Sequence, residues 1–304
     1  MTLYNSISLF FINLLTLVVP RFCFPFFAFV TGGLFYLLLS GKRRIIRANL
    51  RIITGRNDVE RLVVSTFYKF SRNWTDVMLM MRLRGKRLDT LIGRRVGKEH
   101  LDRALADGCG AILISPHLGN WELGGLGLAE MGYPINVLTF REPDERVNEL
   151  REKVRSERGI GFIYVDRHDT SPLAIIEAVN ALRRNEVLAL LGDRDGSSHT
   201  ASLDFFGRQT DIPLGAAYLA LASGAPVFPV FVPLEGNRYA TIMEEPIRFS
   251  AGHGGHKDAI TAGTAEILRV FENYIRAYPD QWYNFFDYWD LMKGREKDTP
   301  CKKN

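Results

Sequence analysis

The sequence predicts an α/β fold: a mixed, largely parallel central sheet flanked by helices, preceded by an N-terminal hydrophobic membrane-anchoring helix or hairpin. Three observations predict it. Beyond residue 110, short apolar runs alternate with longer stretches of helical periodicity, the pattern of strand–helix–strand units. Residues 7–40 carry a single charge, Arg21, and a dense basic cluster follows them. The ionisable residues of the body gather directly after the strand candidates, where an open α/β sheet binds its ligands.

Composition sets the outer bounds. The chain has 304 residues, 46% of them hydrophobic, so it is long and apolar enough for a real core and excludes a disordered chain. Its three cysteines, Cys23, Cys109 and Cys301, are too scattered for a disulfide framework or a spaced zinc site and fit a reducing compartment. A net charge of +5 suits an anionic partner: nucleic acid, a phosphorylated lipid or a membrane surface.

Taken in order, the N-terminal segment contains two apolar runs, Ile7–Val19 and Cys23–Leu39, with breaks expected at Pro20 and Pro25. A bilayer span takes ~20 apolar residues, so the second run is near the lower limit and the first is short. Met1–Ser6 has no Lys or Arg, unlike a secretory signal peptide. Lys42, Arg43, Arg44, Arg47 and Arg51 then favour anionic headgroups and a cytoplasmic position. A buried core hairpin is the competing reading. Residues 1–41 are taken as the anchor, 42–292 as the body and 293–304 as a polar tail.

A helix is expected from Asp58 to Arg82, with Leu62, Val63, Phe67, Phe70, Trp74, Val77 and Met78 forming its core-facing row. Strands are expected at Ala111–Ser115, Ile135–Phe140, Gly161–Val165, Val187–Leu191 and Val227–Val232. Helices are expected at Trp121–Met131, Asp144–Arg158, Pro172–Arg184 and Pro213–Ser223.

The first strand runs into Pro116-His117-Leu118-Gly119-Asn120-Trp121-Glu122. On one helix, residues five apart point about 140° away from each other. His117 and Glu122 meet only if the histidine sits on the turn and the glutamate in the first helical turn, with Asn120 as N-cap and Gly119 permitting a tight approach. A neutral imidazole accepts a proton near neutral pH, and a carboxylate on its other nitrogen fixes the tautomer. Such a pair deprotonates a hydroxyl for attack on a carbonyl. The plain alternative is a histidine at a strand end and a glutamate favoured by the helix dipole.

This heptad and its neighbours resemble a family. Ser-Pro-His117-Leu-Gly-Asn-Trp-Glu122 is similar to the His-x4-Asp/Glu motif of glycerolipid and lipid A acyltransferases, most of all the late (lauroyl/myristoyl) lipid A enzymes and the related mannoside acyltransferases. Val137-Leu-Thr-Phe-Arg141, Leu191-Gly-Asp193-Arg194-Asp195-Gly, Phe205-Phe-Gly-Arg208 with Pro213-x-Gly215, Ala225-Pro-Val-Phe-Pro229 and Pro279-x-Gln281-Trp282 resemble the further blocks, in order, over nearly the whole chain. The resemblance implies transfer of a fatty acyl chain from a thioester to a hydroxyl of a lipid A precursor-like glycolipid at the cytoplasmic face of the inner membrane. It makes His117 the general base and Glu122 its orienting partner. Arg141 and Arg194, with Arg208 and the weaker Arg158 and Arg155, become binders of phosphate or sugar-phosphate, a task suited to planar donors. Asp193 and Asp195 would hold Arg194 or bind sugar hydroxyls. No cofactor is expected; acyl carrier protein or coenzyme A would carry the donor chain. Phe205, Phe206, Leu214 and Leu219 are candidate walls of an acyl groove, and amides near Gly119 candidate oxyanion donors. Relatives carry Asp-Gln or Glu-Gly in the third block where this chain has Asp-Arg-Asp, a departure that bears on the acceptor more than on the reaction.

Other features carry less. Cys109 and Ser115 lie near His117 without a Gly-x-Ser-x-Gly elbow. His253 and His256 lack further metal ligands, and His168-Asp169 fits a loop. Two rival functions are a metal-assisted hydrolase using His117, Asp193 and Asp195, and a non-catalytic membrane lipid-binding protein. Nucleic acid is excluded as a partner, because the basic residues gather beside the apolar segment and no recognised binding module is present.

Overall fold

The computed structural model describes residues 19–140, 149, 152, 156–165, 173–194, 199–250 and 255–293. Helix α1 (Phe24–Leu38) opens with Pro25 in its first turn, so this proline starts a helix instead of breaking one. Helix α2 (Ser40–Thr54) ends on Gly55 at φ +66°, a left-handed cap. Helix α3 (Glu60–Met80) lies against α1 at Gly32. A Cβ there would come within 2.9 Å of the Phe67 carbonyl oxygen. Ala28 and Gly32 of α1 therefore face the protein, while Phe22, Phe26, Phe29, Leu37 and Leu38 face outwards. Most of the first apolar run, Ile7–Val19, lies outside the described residues.

After α4 (Gly85–Asp89), β1 (Ile92–Val96) and α5 (Lys98–Ala106), the expected alternation appears: β2 (Ala111–Ser115), α6 (Trp121–Glu130), β3 (Ile135–Thr139), β4 (Gly161–Tyr164), α7 (Leu173–Arg183) and β5 (Val187–Leu191). A hairpin of β6 (Thr200–Phe205) and β7 (Arg208–Pro213) forms its own small sheet. It turns on Phe206 and Gly207, both at positive φ. Then follow α8 (Gly215–Ser223), β8 (Val227–Phe231), β9 (Leu234–Glu235), β10 (Arg238–Met243), α9 (Gly255–Ala277) and α10 (Tyr288–Lys293). The expected helix over 144–158 falls mainly outside the described residues.

The main sheet has the order β1-β10-β8-β2-β5-β3-β4, with β9 beside β10. Only the β10–β8 and β10–β9 pairs are antiparallel. This is the mixed, mostly parallel sheet that the alternation predicts. β2 is buried at every position, as a central parallel strand covered on both faces must be. One face packs a core that includes Ile114, Leu219, Phe231 and Phe271. The other packs Leu113, Leu126, Ile135 and Phe228 beneath α6 and α3. The chain runs outward from β2 to β3 and β4, returns to β5, and then crosses to β8 on the far side of β2. The carboxyl ends of β2 and β5 thus lie side by side at the switch point, the place where such sheets bind ligands.

Candidate active site

Register builds the site. Ser115 ends β2 opposite Leu191, which ends β5. The ladder continues one step further, with the Gly192 amide donating to the Ser115 carbonyl at 2.9 Å. A Cβ at Gly192 would meet Ile114 Cδ1 at 2.4 Å, so any larger residue here would displace that side chain. Two residues beyond each strand come His117 and Asp193, and they touch. His117 Nδ1 lies 2.5 Å from Asp193 Oδ1, and the His117 backbone amide donates to Oδ2 at 3.1 Å.

The carboxylate that holds Nδ1 is therefore that of Asp193. The Nδ1 contact expected of Glu122 is made instead by a residue 76 positions from the histidine, on the neighbouring strand end. Glu122 sits in the first turn of α6 and lines the same cavity as His117. Asp193 is wholly buried. Trp282 donates its indole N–H to Oδ2 at 2.8 Å, and the Tyr288 hydroxyl donates to the Asp193 carbonyl at 2.5 Å. Burial alone would raise this acid's pKa. The charge and hydrogen bonds of His117, joined by Arg194, oppose it and hold the carboxyl well below the ordinary range for Asp. The carboxyl stays ionised, and its hydrogen bond falls on Nδ1 of His117 and not on Nε2.

The loop between β2 and α6 is fastened on three sides. Gly119 adopts φ +66°, and a Cβ there would sit 2.1 Å from the Val232 carbonyl oxygen, so the expected close approach is present. The Asn120 side chain accepts from the Leu123 amide at 3.0 Å, as an N-cap should. The Gly119 amide donates to the Gln281 carbonyl and the Asn120 amide to the Val232 carbonyl, at 2.9 and 2.8 Å. These two amides are committed to the fold, so they are not the oxyanion donors the sequence suggested. Gln281 also exchanges two side-chain hydrogen bonds with the Leu234 backbone. The Pro279–Trp282 block is thus the strap that holds the histidine loop against β8 and β9.

Of the basic residues, Arg194 lines the cavity. Its guanidinium donates to Asn284 Oδ1 at 2.7 Å and to the Tyr283 carbonyl, and lies over the Phe286 ring. Its charge also acts on the carboxylate of Asp193. Arg158 is elsewhere: only 1% of its side chain is exposed, and it donates to the carbonyls of Met80, Met81 and Leu83. It closes the C-terminus of α3, a structural task in place of the expected substrate contact. Arg208 is exposed on β7, away from the cavity wall. Arg141, Arg155 and Asp195 lie outside the described residues, as do His168, Asp169 and His253. Ser115 donates to the Pro116 carbonyl at 3.0 Å, and Cys109 is not part of the cavity wall.

His117 opens on a cavity of about 760 Å³. Its apolar wall comes from α6, from Met81 of the turn after α3, and from Ile135, Val137, Ala189 and Val230 of the sheet. The expected groove residues Phe205, Phe206, Leu214 and Leu219 are absent from it. They are packed in the cores around α8 and the β6–β7 hairpin, at most 8% exposed. Among the described residues, no three His, Cys, Asp or Glu side chains gather as metal ligands would.

Trp282 and Tyr288 are the functional contacts the sequence did not assign. Trp282 belongs to a resembling block, which gave it a place but no role. Tyr288 has no local signal.

Residues 2–290 match the family described as bacterial lipid A biosynthesis acyltransferase. Phosphatidylinositol mannoside acyltransferase of Mycobacterium tuberculosis (strain H37Rv) is 26% identical over 274 residues, covering 88% of this chain and 84% of the relative. The protein of the same name from Mycolicibacterium smegmatis is 26% identical over 269 residues, covering 87% and 86%. With a match that spans almost its full length, the chain belongs to the bacterial lipid A biosynthesis acyltransferase family and is an acyltransferase of that family.

Proposed function

We propose that this acyltransferase moves a fatty acyl chain from a thioester, on acyl carrier protein or coenzyme A, to a hydroxyl of a phosphorylated glycolipid. The observation that carries the reading is the pairing of buried Asp193 with part-exposed His117 at the mouth of a large, mostly apolar cavity. The acyl chain lies in the cavity with its carbonyl at His117. Nε2 of His117 takes the proton of the acceptor hydroxyl, whose oxygen attacks the thioester carbonyl. The imidazolium, stabilised by Asp193, returns the proton to the departing thiolate, so no acyl-enzyme forms. Arg194, with Arg141 and Asp195 of the neighbouring blocks, receives the acceptor's phosphate and sugar hydroxyls. Glu122 adds a second carboxylate to the same wall.

The site is placed at the cytoplasmic face of the inner membrane. Support comes from Arg21–Leu38, a helix long and apolar enough to cross a bilayer, its outward-facing phenylalanines and leucines, and the basic residues after it. Acceptors close to a lipid A precursor or to the relatives' mannosides both fit this chemistry. Lipid mass spectrometry of cells with and without the chain tests the reading. The expected result is a glycolipid that gains one acyl group only when the chain is present. An unchanged lipid profile, together with no transfer by the purified protein from either thioester, would overturn it.

A further inference from the structure

Helix α6 carries three glycines in ten residues, Gly124, Gly125 and Gly127, in a setting where glycine weakens a helix. Packing explains the first. A Cβ at Gly124 would meet Val232 Cγ2 at 3.0 Å, so the end of β8 needs the space. Gly125 is different: a Cβ there would meet nothing within 4 Å, yet the residue lines the cavity. Among the described residues, no protein atom requires its missing side chain.

Nearly all of α6 and its C-cap borders the cavity, Glu122, Leu126 and Gly127 included, and within that wall lie Trp121, Gly124, Gly125, Leu128 and Met131. Their spacing of i, i+3, i+4, i+7 and i+10 makes them one row along the helix. The row begins at the chemistry, because Trp121 meets the His117 ring edge-on with centroids 5.2 Å apart. It ends towards solvent, where Met131 is 42% exposed. At the helical rise of 1.5 Å per residue, Gly125 lies about 6 Å and Met131 about 15 Å along the axis from Trp121.

We propose that this row of α6 sets the length of acyl chain the enzyme accepts, with Gly125 keeping the channel open near its start and Met131 limiting its far end. The inference rests on the acyl-transfer reading above. An extended chain anchored by its carbonyl at His117 must pass Gly125 before it reaches Leu128 and Met131. A side chain at 125 would therefore bar long chains and spare short ones, and a smaller residue at 131 would admit longer ones.

The test uses the full-length protein in detergent with coenzyme A thioesters of 8 to 18 carbons, scored both for acyl transfer and for binding by thermal shift. In Gly125→Leu, which a helix interior favours, the ratio of short- to long-chain turnover is expected to rise by about tenfold or more, the scale of a lost methylene fit. Gly125→Ala should move the profile in the same direction by less. Met131→Ala should move it the opposite way, towards longer chains. If Gly125→Leu and Met131→Ala fold as wild type and keep its profile, or lose all chain lengths equally, the gauge is wrong. That outcome leaves the acyl-transfer reading standing, since the wild-type protein still binds and transfers the thioesters. A wild-type protein that neither binds nor transfers any of them would sink both.

Discussion

Among the described residues two carboxylates, Asp76 and Asp193, are fully shielded from solvent, and their partners differ in kind. Asp76, on α3, is held by Arg72 at 2.9 Å, by the Tyr239 hydroxyl at 3.1 Å and by Arg21 at 3.5 Å. Asp193 is held by a histidine, that histidine's own amide and an indole. The arginine partners never titrate, so the Asp76 cluster is a fixed lock between the foot of α1, the middle of α3 and strand β10. The partner of Asp193 is the one side chain that gains and loses a proton near neutral pH. The same device, an acid stripped of water and repaid in hydrogen bonds, holds a fixed arginine in one place and, in the proposed mechanism, a general base in the other. The identity of the cation decides which.

Substitutions should separate the two regions. The largest effect belongs to His117→Ala, which should lower turnover by roughly 10²–10⁴-fold, the range of a general base, while lipid binding persists. Retained turnover measured on the purified variant would remove the histidine from the chemistry. Asp193→Asn should follow with a loss on the order of 10²-fold or more and a nearly unchanged circular dichroism spectrum, because an amide no longer enforces the tautomer. Asp76→Ala should do the reverse. Chemical denaturation should show a loss of about 3–5 kcal/mol, the cost of leaving Arg72 buried without its acid, and the folded fraction should keep its turnover. Trp282→Phe removes one donor to a charged acceptor, so a smaller loss of about 1.5–3 kcal/mol is expected, together with reduced turnover.

Acid gives the smallest and most specific contrast. The folded Asp193 carboxyl titrates below its unfolded value, so its contribution is complete above that unfolded value, about 3.9. The contribution is lost as pH falls through the lower folded value. The stability difference between wild type and Asp193→Asn should shrink once the pH falls below about 4, by at most about 1.4 kcal/mol per pH unit. A difference that stays level or grows below about pH 4 would mean that the carboxyl is not ionised in the folded protein.

Much of the fold was legible because buried parallel strands leave a strong mark. Ala-Ile-Leu-Ile-Ser and Val-Leu-Ala-Leu-Leu are continuous apolar runs, and β2 and β5 occupy those spans. β1, Ile-Gly-Arg-Arg-Val, left no such mark. It is an edge strand whose last four residues are exposed, and charge is what an edge requires. The hairpin of β6 and β7 was missed for a related reason: its strands are mostly half-exposed and its turn places a phenylalanine at positive φ. At the site, His117, the cap on Asn120 and the tight Gly119 were readable from one heptad. The partner of His117 was not, because the nearest acid in sequence, Glu122, is a plausible choice that local spacing cannot refuse.

By itself the sequence determined the alternating α/β plan, the apolar N-terminal helix, the histidine at a strand end and the acyltransferase resemblance. All of these depend on residues close together in the chain, where periodicity, capping and motif spacing act. Tertiary structure decided which acid faces the imidazole, that Arg158 clamps a helix end, and that the cavity lies beneath α6 while the aromatic pair Phe205–Phe206 is packed solid. Those outcomes depend on strand order: β5 returns to lie beside β2, and hydrogen-bond register then carries Asp193 to His117 across 76 residues of chain.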